Sequence, residues 1–91
     1  MEITLSAVPF VAEGIKVRRE SFGLLLVSKR TPILAMNEDS AAVWQKIDGT
    51  RNVSDIIIAM QDIYDCPEKE LTDTVLSFLE NSRRLGLIEI R

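Results

Sequence analysis

The apolar periodicity of this chain changes character once, at Asn37, and that switch limits the folds open to it. Upstream, apolar residues fall in short runs. Ile15 and Val17 alternate with Lys16 and Arg18, Phe22 to Lys29 holds the continuous run Leu24-Leu25-Leu26-Val27, and Pro32 to Met36 is a third apolar stretch. Alternation and short apolar runs bounded by turn residues are strand signals. Glu20-Ser21 and Lys29 to Thr31 are the expected turns. Downstream, apolar residues recur at intervals of three and four, the signature of helices. Three strands followed by three helices predict an α+β domain, a three-stranded antiparallel sheet and then three helices, with the outline of a winged helix-turn-helix.

The helix ends are marked chemically. Asn37 caps a first helix that carries Ala41, Ala42, Val43, Trp44 and Ile47 and stops at Asp48-Gly49, with Trp44 expected in the core. Asn52 with Asp55 three residues later reads as a capping box for a second helix through Ile56, Ile57, Met60, Ile63 and Tyr64. Asp65-Cys66-Pro67 breaks the pattern and opens a third. Glu68 and Glu70 then suit the positive end of that helix, and Arg83-Arg84 suit its negative end before Gly86. Leu71, Val75, Phe78, Ser82 and Leu85 form its expected core stripe, and Leu87 to Ile90 add a short strand or simply pack. Residues 1–13, apolar but irregular around Pro9, read as an N-terminal arm or an extra edge segment; residues 14–91 are the domain proper.

Composition removes several functions. The chain of 91 residues has no histidine, the usual proton shuttle at neutral pH and the commonest metal ligand, and only one cysteine, Cys66. It has no Gly-rich phosphate loop and no nucleophile elbow. The expectation is a protein that is not an enzyme and needs no cofactor or metal. No stretch is long and apolar enough to span a bilayer, and Met1-Glu2-Ile3 is not the start of a signal peptide, so a cytoplasmic protein without membrane attachment is expected. The winged-helix outline suggests a DNA-binding regulator, yet the charges oppose it. The net charge is −3, and the third helix would offer Glu68, Lys69, Glu70 and Asp73 to the phosphates.

A peptide is the better guest. Proline donates no ladder hydrogen bond and sits on edge strands or at strand starts, so Pro32 marks the third strand as a sheet edge. An exposed edge must be hidden or used, and an extended peptide can add to it. On this reading Thr31, Ile33, Leu34, Ala35 and Met36 supply the edge. Thr72, Leu76, Leu79 and Arg83 form a second row on the third helix that walls a groove, and Lys69 and Arg83 favour acidic peptides. The competing assignment makes Leu76 and Leu79 a wider core contact and leaves Arg83-Arg84 to the helix end. A third use of the edge is pairing between two copies in a homodimer.

The ordered set Met36-Asn37, Ala41-Ala42-Val43-Trp44, Asp48-Gly49, Arg51-Asn52-Val53, Asp73-Thr74-Val75-Leu76-Ser77-Phe78-Leu79 and Leu85-Gly86-Leu87-Ile88 resembles the PqqD family over about 50 residues. The departures are small: Asn52 stands where Thr is commoner but still caps, and Met36 replaces Leu at similar volume. The resemblance implies a recognition domain that binds the leader of a ribosomally synthesised precursor peptide and presents it to a modifying enzyme, often a radical S-adenosylmethionine protein. It further implies that the leader adds as a strand to the third strand, against the third helix.

Overall fold

The computed structural model describes residues 3–29 and 33–91. The order of elements is β1 (Pro9–Val11), β2 (Lys16–Glu20), β3 (Gly23–Val27), β4 (Leu34–Asn37), α1 (Glu38–Trp44), α2 (Val53–Gln61), α3 (Glu68–Arg84) and β5 (Ile88–Ile90). The expected three-strand, three-helix architecture is present as β2-β3-β4 followed by α1 to α3. Both strand pairs in that sheet are antiparallel, with Leu24 opposite Arg19 and Met36, and Leu26 opposite Val17 and Leu34. Leu24, Leu26 and Met36 point to one face and are buried beneath α1. Val17 shares that face but is 46% exposed; it is not the half-buried position that its alternation suggests.

Within the segment read as an arm or an extra edge segment, Pro9–Val11 form a strand. β1 pairs with β5 in a separate antiparallel ribbon, Pro9 opposite Ile90 and Val11 opposite Ile88. The ladder continues outward as the Val8 and Arg91 amides donate to each other's carbonyls at 3.2 and 2.8 Å. Ile3 and Pro9 are buried. The same segment finishes α2: the amides of Val53 and Ser54 donate to the carbonyls of Ala7 and Leu5, both at 3.0 Å. Asn52 and Asp55 close the capping box beside them, at 2.8 and 3.2 Å. The orphan donors of that helix start are thereby met by backbone and side chain together.

Several boundaries differ from the periodic reading. α1 ends at Trp44, so Ile47 reaches the core from the turn that follows it. α2 stops at Gln61, leaving Ile63 52% exposed beyond the helix. The β2–β3 turn is Ser21-Phe22, and Phe22 lies outside β3. On α3, Leu79 takes the core position that the pattern gives to Phe78, and Leu85 is exposed. Asn37 caps α1 as expected, its side chain accepting from the Ser40 amide at 2.9 Å. Asp48 organises the next turn by accepting from Thr50 and Arg51. α3 closes in a Schellman arrangement: Gly86, at φ +78, donates to Arg83, and Leu87 donates to Ser82.

Candidate functional site

β4 hydrogen-bonds to β3 on one side only; among the described residues no strand lies on the other. β2 is the second edge of the sheet, and the two edges are built differently. β2 reads Lys-Val-Arg-Arg-Glu and every residue in it but Glu20 is exposed. Charged side chains along an edge discourage pairing with another strand. β4 reads Leu-Ala-Met-Asn and carries no charge at all. The unguarded edge is therefore β4. Its side chains alternate: Leu34 is half-buried and Met36 buried toward the core, while Ala35 faces solvent and Ile33, just before the strand, is 65% exposed. Thr31 and Pro32 lie outside the described residues.

α3 offers two flanks, because residues advance about 100° each around a helix. The buried centre is Leu71, Val75, Leu79 and Ser82. Thr72, Leu76 and Arg83 lie half-buried on one side of it. Leu79, expected among them as a groove residue, has 0% exposure and belongs to the core, so it is not available to a guest. By angle it sits between the buried stripe and the row it was grouped with, and packing rather than periodicity places it in the core. Leu76 and Arg83 border a shallow depression with Glu80, whose carboxylate accepts from the Ile3 amide at 3.0 Å. That flank thus meets the N-terminal segment. Lys69 is exposed in the first turn of α3 and lines neither this depression nor the cavity described next.

The other flank opens toward α1, the helix that grows directly out of β4. A cavity of about 190 Å³ lies there. Val43, Met60, Leu71 and Val75 supply apolar walls, and Asp39, Glu70 and Thr74 supply polar ones. Asp39 on its wall stands two residues beyond the end of β4 in the sequence. The Tyr64 hydroxyl donates to Asp39 at 2.7 Å. That bond pushes the tyrosine pKa up, helped by partial desolvation and by the negative charges of Asp39 and Glu38. Periodicity gave Leu71 and Val75 to the core stripe, and the cavity that they wall with Thr74 has no signal of its own in the sequence. Tyr64 and Asp39, 25 residues apart, have no common local signal.

Among the described residues no three of His, Cys, Asp and Glu converge to hold a metal ion. No helix is long and apolar enough to cross a membrane. The site can offer an extended ladder and a side-chain cavity beside it.

The sequence and the fold both have relatives among known proteins. The sequence pattern described as coenzyme PQQ synthesis protein D (PqqD) matches residues 23–88. The PqqA binding protein of Stutzerimonas stutzeri strain A1501 is 33% identical over 94 residues, spanning 99% of this chain and 98% of that protein. The fold matches the solution NMR structure of the PqqD truncation of Methylobacterium extorquens PqqCD, described as a functional, stand-alone recognition element for ribosomally synthesised and post-translationally modified peptides. The TM-score is 0.79 at 20% identity, covering 96% of this chain and 94% of the other. With the family pattern running from β3 into β5 and the relative aligned almost end to end, this chain belongs to the PqqD family.

Proposed function

We propose that this protein captures the leader of a ribosomally made precursor peptide by strand addition to β4 and presents it to a peptide-modifying enzyme, without itself performing chemistry. The observation that carries the reading is the uncharged, one-sided edge of Leu34–Asn37 beside a charge-guarded β2. Main-chain groups of Ile33 to Met36 hold the extended leader, and the cavity between α1 and α3 accepts one of its side chains. Asp39 and Glu70 on the wall disfavour an acidic residue at that point. Thr72, Leu76 and Arg83 are a second wall for a leader long enough to pass along the other flank of α3, where Arg83, with Lys69 in the first turn, favours acidic leader positions. A relative named for binding PqqA supports the peptide as guest. The modifying enzyme on this reading is a radical S-adenosylmethionine protein and the compartment is the cytoplasm. DNA binding is the weaker reading, because the first turn of α3 carries Glu68 and Glu70.

Titration of the ¹⁵N-labelled protein with a PqqA-type precursor peptide tests this. Saturable amide shifts in residues 33–37 and along α3 are expected. Shifts confined to β2, or none with any precursor while duplex DNA shifts α3, would overturn the proposal.

A further inference from the structure

The three-stranded sheet has a second face, and among the described residues no helix packs on it. α1 packs against the face that carries Leu24, Leu26 and Met36. An antiparallel sheet with one solvated face normally presents polar residues there. Here the neighbouring outward positions are Leu25, Val27 and Ala35, with Ile33 just before β4. Val27 is 38% exposed and Ile33 is the most exposed large apolar residue described. Register places Lys16 opposite Val27 and Arg18 opposite Leu25 on the same face. Lys29 follows close behind the strand and is exposed. Arg18 pairs with Glu20 at 2.9 Å yet keeps its side chain 75% exposed.

The charge of this region runs against the rest of the molecule. Around this face Lys16, Arg18 and Lys29 stand with Glu13 and Glu20, a local positive balance on a chain whose net charge is −3. An apolar centre with a basic margin is an interface composition rather than a solvated surface. Polyanions such as nucleic acid would leave the apolar centre unmatched. Two copies packed face to face would bring two basic margins into one interface, a like-charge excess that opposes a symmetric dimer. We infer that the outer face of β2-β3-β4 docks a different protein through an apolar surface edged with carboxylates. This interface uses the side chains of the sheet face, Ile33 and Ala35 among them, whereas the β4 edge uses main-chain groups, so shifts at Lys16, Arg18 and Val27 distinguish the two.

The test uses a defined probe, an 18-residue amphipathic helix of Leu and Glu, with its Leu and Lys counterpart as control. The acidic helix is expected to shift the amides of Lys16, Arg18, Leu25, Val27 and Ala35, with affinity falling steeply as salt rises. Lys16→Glu should weaken it at least tenfold, and Val27→Glu should do the same in a protein whose Leu24 and Leu26 amides remain in place. Equal response to both helices, no response, or shifts elsewhere would overturn the inference. So would concentration-dependent dimerisation in sedimentation that Val27→Glu abolishes, since a second copy would then own the face.

Discussion

Gly23 in β3 and Met36 in β4 approach so closely that a methyl group on the glycine would run into the methionine carbonyl oxygen. Gly23 also sits at φ +147, a conformation that side chains resist. Contact and conformation act together to seat β4 against β3. Gly23→Ala should therefore lower stability by about 2–4 kcal/mol in urea unfolding. A loss below ~1 kcal/mol would mean that β4 can shift away from β3 without penalty.

Backbone N–H groups on an antiparallel edge strand point alternately to the partner and to the open side. Of Leu34→Pro and Ala35→Pro, one thus removes a bond to β3 and the other a donor on the free edge. The first should lose stability. The second should stay folded and bind a PqqA-type precursor at least tenfold more weakly, about 1.4 kcal/mol. If both remain folded and bind normally by titration calorimetry, the leader does not use this edge.

Leu76 and Leu79 separate core from margin. Leu79 is fully enclosed, so Leu79→Ala should cost about 2–5 kcal/mol in chemical denaturation. Leu76 is half-buried, and Leu76→Ala should cost about 1 kcal/mol. The reverse order would move the guest-facing surface of α3 to the Leu79 side.

Tyr64 is the only tyrosine, so its ionisation can be read directly from ultraviolet absorbance. Its pKa lies above the ordinary 10.0 because its proton is held by Asp39. The raised value adds stability that is complete below pH 10 and fades as pH climbs through the folded pKa. Asp39→Asn should bring the titration back toward 10. An unchanged midpoint would deny the bond that frames the cavity.

Asp48 behaves in the opposite sense. The backbone amides of Arg51 and Thr50, and then the Thr50 hydroxyl, lower its pKa from 3.8 to about 2. Its contribution to stability is present above pH 3.8 and disappears as pH falls toward 2. Asp48→Asn keeps an acceptor oxygen but not the charge. The stability gap between the two proteins, followed by urea midpoints, should hold steady above pH 4 and narrow between pH 4 and 2.

Local chemistry was legible where it is local. Asn37, the Asn52–Asp55 pair and Gly86 announce helix ends because each meets a backbone group within a few residues. Pro32 placed the next strand at an edge by what proline lacks. Leu79 was misread because Phe78 and Leu79 are adjacent and both apolar, and a period of 3.6 admits either. The β1–β5 ribbon was only half visible: three residues near each end pair across more than 70 positions, and no window of sequence spans them. The α1–α3 cavity was missed for the same reason, since Asp39, Tyr64 and Glu70 meet only after the helices pack.

An unguarded β4 also has a liability when nothing occupies it. A neutral strip of amides with no strand beside it is a template for other extended chains, so receptivity and stickiness are one property. Concentrated stocks of the empty protein should cloud on storage, and a stoichiometric guest should keep them clear.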